Sequence, residues 1–243
     1  WLHNDKSTDR SAFLNGAYDV STFTYLNDGS LFTDQLTRSP GARYWIPSID
    51  EWMKAAHYDP AKQNSDGTLG GWWQYSNSSD TPFRCGPPGV LVRTDDRLGP
   101  DPNGELANAN SRWNGLIFPG FDPFVVPLGA YPDTTSPWGL LDVAGAAKEW
   151  TEGAFQLLDE PYPRDRYLEG SSWDTGGGQF SDRVDVYGGG AFPTYRDDGY
   201  GLRIASAVPT PSGVVAIVVL SAIGLARRRR LMPTRTGPAP TYR

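Results

Sequence analysis

Asp142 and Glu149 are the residues best spaced for chemistry. They flank a Gly-containing loop, Asp142-Val143-Ala144-Gly145-Ala146-Ala147-Lys148-Glu149. Calcium takes roughly six to eight oxygens from carboxylates, amides and carbonyls on bent backbone. Two carboxylates closing one short loop offer such a set, although Asp also caps turns through side-chain to backbone bonds; both readings stand. Other reactive residues are less favourably placed. His3 and His57 lack metal-ligand spacing. His57 falls at the end of an expected helix, where an imidazole near the last carbonyls fits a structural role. Cys85 is the only cysteine, so no disulfide forms within the chain. Gly188-Gly189-Gly190 has no following Lys and does not read as a phosphate loop. Asp95-Asp96 and Asp197-Asp198 read as solvated loop acids. Arg203, between Leu202 and Ile204, reads as the partner of a buried carboxylate in a bidentate pair. Recognition of an anionic ligand is the functional alternative.

Several elements must hold these residues. Nine Trp, twelve Tyr and ten Phe supply large apolar faces. The 28 Gly and 21 Pro favour a loop-rich α+β domain over long helices. Tyr44-Trp45-Ile46-Pro47 reads as a strand entering a helix, with Ser48 and Glu51 as a capping box. Trp52, Ala55 and Ala56, with Tyr58, then mark one buried face. The helix should stop by Asp59-Pro60. Residues 61–103 are rich in Gly, Ser, Asn and Asp but carry Trp72, Trp73 and Tyr75, so they read as long ordered loops rather than disorder.

The net charge of −6 is unevenly spread: Ala207–Arg243 holds six Arg and no acid, leaving −12 on residues 1–206. Such a domain repels nucleic acid. The sequence opens at Trp1 without Met and reads as a piece or processed form, with any signal peptide out of view. Four segments follow: a domain over 1–206, a Pro-rich linker over 207–213, an apolar helix with an Arg cluster over 214–230, and a flexible tail over 231–243. The apolar run Val214–Ala226 would make a helix about 20 Å long, shorter than the roughly 30 Å hydrocarbon core. The abutting Arg227–Arg230 nevertheless suit a cytoplasmic headgroup layer. This tail resembles the PEP-CTERM sorting signal of exported bacterial proteins. Pro209-Thr210-Pro211 stands where Pro-Glu-Pro is usual, and thirteen residues follow the arginines. The resemblance implies export to the cell envelope or surface, a transmembrane anchor with the Arg cluster cytoplasmic, and an exosortase-like processing enzyme as partner.

Four motifs in order are similar to those of the formylglycine-generating enzymes, or sulfatase-modifying factors. Pro47-Ser48-Ile49-Asp50-Glu51-Trp52, followed by Ala55-Ala56, matches Pro-Thr-x-x-Glu-Trp-x-x-Ala-Ala. Trp138-Gly139-Leu140-Leu141-Asp142-Val143 matches Trp-Gly-Leu-Tyr-Asp-Met, with Ser136 replacing an Asn. Gly145-Ala146-Ala147-Lys148-Glu149-Trp150 matches Gly-Asn-Val-Trp-Glu-Trp, with Ala146 and Lys148 as departures. Gly201-Leu202-Arg203 nearly matches the closing Gly-Phe-Arg. The resemblance implies an irregular, C-type-lectin-like α+β fold whose start precedes Trp1. It also implies two structural calcium sites. One takes the side chains of Asp142 and Glu149 with the carbonyls of Gly145 and Ala147. The other takes Asn108 and Asp122 with the carbonyls of Ala109 and Phe124.

The family's oxidase chemistry needs two copper-binding cysteines after the Gly-Gly-Ser-Trp motif, because soft thiolates hold Cu(I). Counting from Gly170-Ser171-Ser172-Trp173, those positions are Thr175 and Phe180. The expectation is therefore a pseudoenzyme with no catalytic residues and no copper. It would be an exported, membrane-tethered, calcium-stabilised module that binds a glycan, a peptide or another envelope protein, and no nucleic acid. The alternatives are a formylglycine-generating oxidase acting on a sulfatase cysteine, or a purely structural surface-layer component.

Overall fold

The structure is a computed structural model. It describes residues 2–25, 32–92, 98–100, 106–107, 121–155, 165–174, 182–186 and 188–207. Trp1–Ser206 forms one compact unit. Apart from Ala207, the linker, apolar stretch, Arg cluster and tail of the sorting-signal reading lie outside the described residues. Among the described residues, no helix is long and apolar enough to cross a membrane.

The helix Ile49–His57 begins as the sequence requires. Ser48 Oγ accepts from Glu51 N at 3.2 Å, and Glu51 Oε2 accepts from Ser48 N at 2.9 Å. Trp52 and Ala56 are buried together with Val143, and Met53 and Leu140 pack against them. The helix stops at His57, and Asp59-Pro60 falls inside a strand, Tyr58–Gln63, paired antiparallel with Leu69–Trp72. Part of the expected loop region is thus a hairpin. A two-stranded ribbon has only edges, so Pro60 needs no ladder donor there. A short helix, Arg10–Leu14, precedes it in the chain.

Behind the first helix lies a four-stranded sheet, in the order Gly190–Ala191, Asp165–Glu169, Lys148–Phe155, Tyr200–Gly201. The first three strands are antiparallel neighbours, and the last pairs parallel to Lys148–Phe155. Tyr44–Trp45 pairs with Ala205–Ser206, so the segment that enters the helix meets the strand that closes the domain. The C-terminal end of the 142–149 loop runs directly into the strand Lys148–Phe155.

Two glycines permit the close approach of these parts. Gly170 has φ +77, and a Cβ there would sit 2.9 Å from Val143 O. At Gly188 a Cβ would lie 2.5 Å from Leu168 O. Any other residue would push strand and loop apart.

Candidate functional site around Glu149 and Asp142

Glu149 lies on the central strand and is 8 % exposed. Its Oε2 accepts from Trp52 Nε1 at 2.7 Å and from Arg203 Nε at 2.9 Å. Its Oε1 accepts from Arg203 Nη2 at 2.8 Å. The bidentate pair expected at Arg203 is therefore present, with Glu149 as partner. Arg203 Nη2 also reaches the carbonyls of Leu141 and Asp142 at 3.1 and 3.2 Å. One guanidinium ties the strand to the start of the loop.

The loop itself is tightly bent. Asp142, Gly145 and Ala146 have positive φ of 53, 78 and 58, and an Asp or Gly tolerates that region better than most residues. Asp142 Oδ2 accepts from Gly129 N at 2.6 Å, the turn-capping role of an Asp. Ser136 also caps: its Oγ accepts from Trp138 N and Leu140 N at 3.3 and 3.2 Å. The downstream Gly-Ser-Ser-Trp segment clamps the loop from behind. Gly145 N donates to Ser171 Oγ at 3.0 Å, Trp173 N donates to Ala146 O at 3.2 Å, and Ser171 Oγ donates to Asp182 Oδ2 at 2.7 Å. Motifs distant in sequence thus brace one another.

Of the first expected calcium set, three residues border one cavity and Gly145 does not. Asp142, Ala147 and Glu149 line one open cavity of about 440 Å³ with Arg203. Asp142 Oδ1 has no hydrogen-bond partner among the described residues, and Glu149 Oε1 has one donor. Gly145 O is turned into the backbone instead, accepting from Ala147 N at 2.7 Å. Of the second set, Asn108 and Ala109 lie outside the described residues. Asp122 Oδ1 caps a short 3-10 helix by accepting from Phe124 N at 3.0 Å, while the Phe124 ring packs edge-on against Trp173 at 5.7 Å. Thr175 and Phe180 also lie outside the described residues. No three His, Cys, Asp or Glu side chains gather as a metal cluster among the described residues.

Sequence reasoning missed a buried acid group beside the clamp. Glu169 and Asp182 are 1 % and 2 % exposed. Loss of hydration pushes both carboxyls up to about 7, against the pull of Lys148 and of their hydrogen bonds from Gly188 N and Ser171. Lys148, whose own pKa is lowered by burial, donates to Gly188 O at 2.5 Å. The one signal in the sequence was Lys148 standing where the resemblance expects Trp. His57 is also buried, at 1 % exposure, and burial lowers its pKa to about 4. Packing therefore keeps it neutral at the helix end, so no charge there meets the helix dipole.

The fold and site define a loop-rich α+β domain whose central loop is braced by a Glu–Arg–Trp cluster. By its four motifs and by sequence alignment, the chain carries a domain related to the formylglycine-generating enzyme family. It is similar to the inactive C-alpha-formylglycine-generating enzyme 2 of Bos taurus, with 34 % identity over 113 residues. That alignment takes in 44 % of this chain and 36 % of the bovine protein, so the chain matches about a third of its relative's length. Among solved structures, CarF aligns at 20 % identity over 71 % of this chain and 50 % of its own, with a TM-score of 0.41. PvdO from Pseudomonas aeruginosa aligns at 19 % identity over 68 % and 53 %, with a TM-score of 0.39. No family profile matches the chain.

Proposed function

We propose that this chain is an exported, membrane-tethered domain of the formylglycine-generating type that has lost the oxidase chemistry and serves as a binding or scaffolding module. The observation that carries this reading is Thr175 and Phe180 at the positions of the family's cysteines. Neither a hydroxyl nor a phenyl ring replaces a thiolate toward copper. The bovine relative's description as inactive points the same way. Fold alone does not bring a reaction with it.

Calcium in this reading is structural. Asp142 and Glu149 supply two negative charges, Arg203 offsets one of them, and Ala147 borders the same cavity. When bound, the ion would fix the loop against the strand. Membrane attachment rests on Val214–Ala226 and Arg227–Arg230. The partner is an envelope component: a glycan, a peptide or another surface protein.

The test is to incubate the purified chain with copper, O₂ and a Cys-Thr-Pro-Ser-Arg peptide and to look for aldehyde. None is expected, and stoichiometric formylglycine would overturn the reading. Cell fractionation tests the tether: recovery in the membrane fraction is expected, and a protein found free in the cytosol would refute it.

A further inference from the structure

A second cavity, of about 300 Å³, opens between the N-terminal segment and the central sheet. That volume is at the lower end of the range of small-molecule sites. Its apolar wall consists of Phe23, Leu36, Ile46, Trp150, Pro193 and Leu202. Phe23, Leu36 and Leu202 are 40 %, 44 % and 56 % exposed, so the mouth is open to solvent.

The donors of the wall are already occupied. Arg166 uses all five of its N–H donors: Nε and Nη2 on Asp34 Oδ2, Nη2 on Gln35 O, and Nη1 on the carbonyls of Leu36 and Glu152. Glu152 accepts from Tyr18 OH, from Arg38 N and from Arg38 Nη1 at 2.7, 2.7 and 3.1 Å. Tyr18 OH in turn accepts from Ile46 N at 3.0 Å. The Gln35 amide donates to Thr37 O and Ser39 Oγ and accepts from Asp19 N. Thr151 Oγ1 donates to Tyr167 O at 3.2 Å. Arg166 is paired with Asp34, and Glu152 shares Arg38 with Glu51.

An anionic occupant would lose its hydration here and find no free donor, because the five donors of Arg166 are already used. An uncharged apolar occupant would lose nothing and would cover exposed rings and methyls. We propose that this cavity is a binding site for an uncharged hydrophobic small molecule carrying an aromatic ring. Trp150, itself held edge-on against Tyr200 at 5.6 Å, forms a fixed aromatic wall for it. The inference extends the binding-module reading without depending on it, because the walls are the same whether or not the chain is an oxidase.

The test uses the full chain and N-phenyl-1-naphthylamine, a neutral two-part aromatic, followed by energy transfer from tryptophan. Saturable binding of one molecule per chain is expected. Leu36→Asp and Phe23→Asp each place a charge at the mouth and should weaken it about ten-fold or more. Leu128→Asp, an exposed residue of the other cavity, should leave it unchanged. The sulfonated analogue should bind about ten-fold less tightly. Absence of saturation, binding that survives both rim substitutions, or equal loss with Leu128→Asp would each overturn the proposal. Failure here would leave the aldehyde result, and thus the reading of the cysteine positions, untouched.

Discussion

Arg203 grips both carboxylate oxygens of Glu149, at 2.8 and 2.9 Å, across 54 residues of sequence. Strand, loop and closing segment are joined at this single pair. The Glu149 side chain is 10 % exposed and that of Arg203 26 %, so little water is present to screen it. Arg203→Met should leave a buried charge with only Trp52 as donor. The expected loss is about 3 kcal/mol, near the lower end for breaking a buried pair because part of the guanidinium meets water. Urea denaturation measures it. The Glu149→Gln, Arg203→Met double variant should lose less than the sum of the two single variants, and strict additivity would show that the pair is not coupled.

Arg166→Lys should be destabilising even though charge is kept. The guanidinium makes its five bonds in a fixed fork, two to Asp34 and three to carbonyls. An ammonium has three donors and no fork. A loss of about 2 kcal/mol is expected, read as a lower denaturation midpoint with an unchanged slope. A variant as stable as the parent would remove Arg166 as the anchor of the N-terminal segment.

Stability should fall as pH rises from about 5 to about 7. Glu169 and Asp182 hold their protons in the fold up to about 7, whereas their ordinary values are 4.5 and 3.8. In that window the folded state binds more protons than the unfolded one, so each added unit of pH costs stability. His57 acts oppositely: its pKa of about 4 lies below the ordinary 6.5, so its contribution is lost as pH falls from 6.5 toward 4. Two carboxyls outweigh one imidazole. Asp182→Asn should flatten the slope and His57→Gln should steepen it, both visible in melting temperature against pH. A slope unchanged by Asp182→Asn would contradict the assignment.

Calcium should raise the melting temperature, and EGTA should reverse the rise. On the proposed reading Arg203 would share Glu149 with the ion, so binding should be weak, with a Kd of about 10⁻⁴ to 10⁻³ M. Asp142→Gly keeps the positive φ of 53 while removing the carboxylate, whose Oδ1 has no partner among the described residues, and should abolish the shift. Calcium that stabilises the parent and this variant equally would place the ion elsewhere.

Much of the local structure was legible. Ser48 and Glu51 are three residues apart, and capping is decided within one turn, so the helix start could be read directly. Trp52 and Ala56 are on one face for the same reason. The hairpin of Tyr58–Gln63 with Leu69–Trp72 was not legible, because its turn-forming composition hides a pairing set by neighbours rather than by alternation. Arg203 could be recognised as the partner of a carboxylate, since a lone Arg between apolar residues needs one. Which carboxylate it takes depends on how Tyr200–Gly201 lies against Lys148–Phe155.

The sequence by itself determined the motifs, the excess of acid over residues 1–206 and the identities of Thr175 and Phe180. These carry the resemblance to a family, and with it the proposal that its thiolate ligands are missing. Tertiary structure alone decided which groups lost their water. Glu169, Asp182 and His57 look ordinary in the chain, and only packing shifts their protonation. It alone also turned all five donors of Arg166 at the 300 Å³ cavity onto internal partners. Desolvation and hydrogen-bond satisfaction depend on neighbours that are distant along the chain, so no spacing within a motif can encode them.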